Sequence, residues 1–201
     1  MLTAFVTLVI ALFILLTLYL GIKIVRQSEV LVIERLGKYS RTLNAGLSII
    51  IPYIERVAHR VSILERQLDK QEISVITKDN VEVRLETIVF YRVTDAANSV
   101  YRIRNIDDAL KNASSSIVRS AAGKLELDEL QSSRDAMNEE IAINLGRAAE
   151  VWGIEITRTE ITDVIIDDET KEAQRQQLNA ERTKRATIAT AEGDKASIQL
   201  K

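Results

Sequence analysis

The chain has 201 residues, with 27 basic and 29 acidic side chains, one histidine and no cysteine. That length suits one domain with appendages, and the near-balance of charge creates no strong field for nucleic acid or for an acidic surface. The missing cysteines exclude disulfides, thiolate nucleophiles, cysteine-based zinc sites and iron–sulfur clusters, and His59 alone cannot furnish a catalytic triad or a multi-histidine zinc site.

From Leu2 to Ile22 there is no charged side chain, and the run holds seven Leu, three Ile, two Val and two Phe. A helix over it spans about 31 Å, the thickness of a hydrocarbon core. Nothing basic precedes it and Leu18-Tyr19-Leu20 is a poor cleavage site, so a retained anchor is expected rather than a signal peptide. Leu2, Phe5, Leu12, Phe13, Leu16 and Leu20 are taken as its anchoring residues. Lys23 and Arg26 follow the run, then Arg35, Lys38 and Arg41. The positive-inside rule places the N-terminus outside and the body in the cytoplasm.

Short β-type runs come next. Val30–Arg35 is broken by Leu36-Gly37-Lys38, Asn44-Ala45-Gly46 reads as a turn, and Leu47–Ile51 ends at Pro52, the only proline. Val57, His59, Val61 and Ile63 alternate with Arg56, Ala58, Arg60 and Ser62, which puts His59 on an apolar side. Ile73 and Val75 precede a hairpin turn at Lys78-Asp79-Asn80. The clearest strand follows, with Val81, Val83, Leu85, Thr87, Val89 and Tyr91 on one face and Glu82, Arg84 and Glu86 opening the other.

Helical periodicity then takes over. Ile106, Ala109, Leu110, Ala113, Ile117 and Ala121 share a face, with Asn105 or Asp107 as cap and Gly123 as a left-handed stop. Ser132 with Asp135 announces a second helix whose inner face is Met137, Ile141, Leu145, Ala148 and Trp152, ending at Gly153. Ile154–Ile161 returns to strand. The pattern is that of an α+β domain.

From Asp168 the chain has no proline, and opposite charges recur at helical spacing: Asp168 with Lys171, Glu172 with Arg175, Glu181 with Lys184 and Arg185, Glu192 with Lys195. Ala180-Glu181 and Lys184 recur eleven residues on as Ala191-Glu192 and Lys195, so the same face returns after about three turns. The stripe Ala173, Ala180, Ile188, Ala191 and Ile198, interrupted by Lys184 and Lys195, is expected to lie against copies of itself, the alternative being a solvated single helix. No helix stop precedes Lys201, so a longer natural tail is expected.

The stretches Val32–Tyr39 (VIERLGKY), Ala45-Gly46-Leu47, Ile51-Pro52-Tyr53, Ile76–Val81 (ITKDNV), Leu125–Leu130 (LELDEL) with Arg134, Trp152-Gly153-Ile154 and Ala180–Ala186 (AERTKRA) occur in an order that resembles the stomatin branch of the stomatin/prohibitin/flotillin superfamily, also called SPFH or band 7. The resemblance runs from Val25 to Lys195 and implies an SPFH mixed α/β domain (25–166) followed by a long charged, coiled-coil-like helix (167–201), behind the transmembrane anchor (1–24) that the apolar run predicts. It implies a homo-oligomeric ring or cage that organises membrane microdomains and modulates channels or AAA-type proteases, in prokaryotes often beside an NfeD-like partner. The alternative reading is a small regulatory adaptor of one such protease or channel. A single span without the mid-segment proline or palmitoylation cysteines of the eukaryotic stomatins fits a bacterial or organellar member, and a bacterial inner (plasma) membrane is expected.

No residue rises to an active site, and we expect neither enzyme activity, cofactor, metal nor nucleic-acid partner. Asp167, Asp168 and Glu169 read as a helix start rather than a metal site. Asp128 and Glu129 with Arg134 read as an ion-pair network. Ser114-Ser115-Ser116 lacks a base, and Trp152 reads as core.

Overall fold

A computed structural model describes Leu2–Gln199, with side chains placed from Phe5 to Glu192 except Gln174. Helix α1 (Leu2–Gly21) leads directly into β1 (Ile22–Val25), followed by β2 (Glu29–Arg35), β3 (Lys38–Leu43), β4 (Gly46–Ile49) and β5 (Glu55–Ser62). β1 pairs with β4, and β2 lies between β3 and β5, all antiparallel. Val25, Leu31, Ile33, Leu43 and Ile50 form the small core of this part.

The larger part is built on β8 (Glu82–Val93), whose buried face is Val83, Leu85, Thr87, Val89, Tyr91 and Val93. Strand β9 (Ile154–Ile166) runs along one edge of β8 over almost its whole length. The other edge is shared by β7 (Gln71–Ile76) and the short β6 (Arg66–Gln67). Helices α3 (Ile106–Ala122) and α5 (Arg134–Glu150) cover the apolar face, one core grouping around Leu85, Val118, Leu130 and Ile141, the other around Tyr91, Leu110 and Leu145. Two shorter helices, α2 (Ala96–Tyr101) and α4 (Leu127–Ser132), join these elements, and α6 (Asp168–Gln199) leaves from the end of β9.

Several expectations are corrected. Gly123 is right-handed (φ −67°), not left-handed, and an added Cβ would stand 3.1 Å from the Arg119 carbonyl oxygen, a tight contact. Gly153 does take the left-handed form (φ 70°), and a Cβ there would meet the Asp95 carbonyl oxygen at 2.5 Å. Asn105, not Asp107, caps α3, accepting from the amides of Asp107 and Asp108. The most buried side chains of α3 are Leu110, Ser114, Val118 and Ala122, one step round from the expected face.

The Ser132–Asp135 spacing is not a cap. Ser132 Oγ donates back to the Asp128 carbonyl inside α4, and α5 starts at Arg134 after Ser133. The reciprocal capping box belongs to α4 and is formed by Glu126 and Glu129. Ala149 rather than Ala148 completes the buried face of α5. His59 is exposed, and a register shift between its pairing with Val32 and that of Val57 with Ile33 puts it on the opposite face from Val57, beside Tyr101 of α2.

Candidate apolar surface and tail helix

Glu55 opens β5 and is 5% exposed. Its oxygens accept from Arg35 Nε and Nη2 (3.2 and 2.7 Å), from Arg41 Nη1 and Nη2 (both 2.9 Å) and from the Ile51 amide (3.0 Å). The Ile51 amide and then Arg35 hold the carboxyl down to about pKa 2, against the opposing effect of burial. Arg41 also donates to the Ile49 carbonyl (3.1 Å). One buried carboxylate thus fixes the turn that runs from β4 through Pro52.

That turn packs on the end of α1. The Ile50 amide donates to the Gly21 carbonyl at 2.8 Å, and a Cβ on Gly21 would stand 2.8 Å from the Ile50 oxygen, so only glycine allows the approach. Tyr53 stacks on Phe13 with centroids 6.2 Å apart and planes 6° from parallel.

The side chains carried by this frame point outward and are apolar. The cross-strand pairs Ile24–Leu47 and Ile22–Ile49 are 80% and 71%, and 40% and 62%, exposed. Leu36 and Tyr53 are more unusual. Each has a positive φ (51° and 73°), a conformation that costs an L-residue about 1–2 kcal/mol and that normally selects Gly or Asn. Each is also largely exposed, at 84% and 68%. The Leu36 amide donates to the Ile54 carbonyl (3.2 Å), which brings the two strained turns to one edge. Two left-handed turns thus hold bulky apolar side chains in the open on one edge.

Every described α1 residue from Phe5 to Leu20 except Thr17 is exposed, including Phe5, Leu12, Phe13, Leu16 and Leu20; the side chain of Leu2 lies outside those described. Among the described residues no helix is both long and apolar enough to cross a membrane. Phe5–Gly21 alone makes about 26 Å of helix, short of a core of roughly 30 Å.

A second hub ties this part to the rest. Glu34, 7% exposed, accepts from Arg56 (2.7 Å) and from the Tyr101 hydroxyl of α2 (2.8 Å). Arg56 and then Tyr101 lower the Glu34 pKa, and burial followed by the Glu34 bond pushes Tyr101 up to about 12. His59 meets the Tyr101 ring edge-on.

In α6 the ion pairs Lys171–Asp168, Arg175–Glu172 and Arg185–Glu181 form at helical spacing, and Asp167 caps the start by accepting from the Thr170 amide. Ala173, Ala180, Lys184, Ile188 and Ala191 are all exposed; the side chains of Lys195 and Ile198 lie outside those described. The stripe misses Leu178, which is 43% exposed and faces a hollow shared with α4. Its spacing from Ala180 is not helical, so periodicity could not find it.

Elsewhere the chemistry is sparse. Among the described residues no group of three or more His, Asp or Glu side chains is placed to hold a metal. Ser114 is fully buried on α3 with an unpartnered hydroxyl. Glu129 is engaged in the α4 capping box rather than the expected pairing with Arg134.

Residues 23–195 match the family described as SPFH domain / Band 7. The chain is 38% identical over 190 residues to an uncharacterized protein of Methanothermobacter thermautotrophicus, covering 94% of this chain and 59% of that protein. It is 34% identical over 173 residues to the human mitochondrial stomatin-like protein 2, covering 86% and 49%. It is 38% identical over 195 residues to a stomatin homolog of Pyrococcus horikoshii, covering 97% and 73%. The chain therefore spans about half to three fifths of the length of the first two relatives.

Proposed function

The chain belongs to the SPFH domain / Band 7 family as a stomatin-like member, and from that premise we propose that it is a membrane-anchored, non-enzymatic scaffold that works as a large homo-oligomer. Residues 1–24 serve as a single-span anchor, 25–166 as the SPFH domain on the cytoplasmic face of an inner membrane, and 167–201 as the assembly helix. By sequence the uncharged run from Leu2 to Ile22 reaches about 31 Å, enough for a span.

The observation that carries the reading is the outward apolar collar of Ile22, Ile24, Leu36, Leu47, Ile49 and Tyr53 at the end of α1. In water that collar is a liability; at a bilayer surface it is buried. The exposed, ion-paired α6 then supplies lateral contacts, along Ala173, Ala180, Lys184, Ile188, Ala191 and Ile198, between copies held side by side. Head-to-tail contacts of this kind close into rings when the rotation permits. Membrane proteins such as a protease or channel are the clients such an enclosure confines.

The test is extraction. The full chain is expected to stay in the membrane pellet through an alkaline carbonate wash, and a chain lacking residues 2–21 is expected to be released. Release of the full chain would overturn the anchor.

A further inference from the structure

Two hollows meet at Ile50 and Pro52, which line both. The first, about 360 Å³, lies between α1 (Phe13 to Gly21) and the Ile49–Pro52 segment. Its one polar side chain is Thr17, and that hydroxyl is already spent on the Phe13 carbonyl at 2.8 Å. Nothing in it calls for water. The second, about 400 Å³, opens past Lys23, Arg56 and Arg60. The acid bordering it is Glu55, whose oxygens are already filled by two arginines and an amide. Arg56 is paired with Glu34, whereas among the described residues Lys23 and Arg60 have no acidic partner.

The groove is therefore apolar along the last turns of α1 and cationic where α1 ends. We propose that it binds one anionic phospholipid of the surrounding bilayer, with an acyl chain against Phe13–Gly21 and the phosphate between Lys23 and Arg60. This rests on the anchoring role of α1: if that helix spans the bilayer, the apolar hollow lies at hydrocarbon depth and the cations at headgroup depth. A soluble acidic peptide meets the cations but leaves the apolar half unfilled.

The test uses the full chain in nanodiscs of phosphatidylcholine doped with phosphatidylglycerol, with retained lipid counted by native mass spectrometry after extraction. Each Lys or Arg near anionic lipid is worth about fivefold, so phosphatidylglycerol is expected to be enriched about tenfold or more over its share of the disc. Lys23→Ala with Arg60→Ala is expected to bring enrichment close to unity with the chain still in the disc. Thr17→Trp, which fills the apolar half, is expected to lose the retained lipid with both cations present. Lys38→Ala, outside the groove, is expected to keep the enrichment.

No enrichment in the parent chain, or enrichment untouched by the double variant, overturns the site and leaves the anchor standing. Displacement of the lipid by a soluble poly-glutamate peptide overturns the lipid assignment. A chain that does not enter the disc overturns both the site and the anchor.

Discussion

Glu55 concentrates much of the local order of the small part in one carboxylate. Its folded pKa of about 2 lies below the ordinary carboxylate value, so the native state binds fewer protons than the unfolded chain. The stabilisation is thus complete above about pH 4.5 and is lost as pH falls towards 2. Arg35 and Arg41 are 50% and 38% exposed, so solvent screens part of it, and a value on the order of 2 kcal/mol is expected. Glu55→Gln should lower the stability at neutral pH by that amount, bring the melting transition down with it, and flatten the acid limb of the stability curve. A variant that melts like the parent at pH 7 would show that the carboxylate is not what holds the Pro52 turn. At this scale the sequence was legible only in part. The charges of Arg35, Arg41 and Glu55 are plain, but they converge from three strands, and no local pattern announces that. His59 was misplaced for a related reason, since a bulge shifts alternation without altering composition.

Among the elements, β8 was the most legible, because strict alternation over a long run leaves one register for its buried face. Helix α4 was not: six residues are too few for periodicity, and its capping box is formed by Glu126, which is not among the usual capping residues. Strand β9 was expected to stop at Ile161 but continues to Ile166 because β8 offers it partners as far back as Val83. Its outer edge is open, and the protein manages it with two register shifts and with Asn138. The Asn138 side-chain oxygen accepts from the Ile161 amide at 3.0 Å, and its carbonyl accepts from the Thr159 hydroxyl at 2.7 Å. Asn138→Ala strips the partner from that amide and should cost about 1–3 kcal/mol. Hydrogen exchange at Ile161 should accelerate in step, whereas Asn138→Asp, which keeps the acceptor, should protect it. Unchanged exchange in the alanine variant would mean that water already serves the amide.

For the whole molecule, the division into an apolar helix, a mixed domain and a charged helix was visible from hydropathy and charge alone. The outward collar was not, because Leu36 falls in a strand break and Ile24 at the end of the apolar run, and neither position discloses its exposure. The tail stripe makes a sharper demand. Ala180→Asp with Ala191→Asp places two charges on the proposed contact line, and Thr183→Asp places one off it. The double variant should yield smaller particles while Thr183→Asp assembles like the parent; equal effects would mean that the stripe touches nothing. The helical ion pairs, at about 0.2–0.5 kcal/mol each, hold α6 itself, so the proposed assembly rests on many weak stripe contacts repeated between copies.

The most direct test of that claim is the size of detergent-extracted particles, by electron microscopy, for the full chain and for one ending at Asp167. The full chain should give uniform large rings and the shortened one small, folded particles. Monomers or dimers of the full chain, or rings of the same size without α6, would contradict the account.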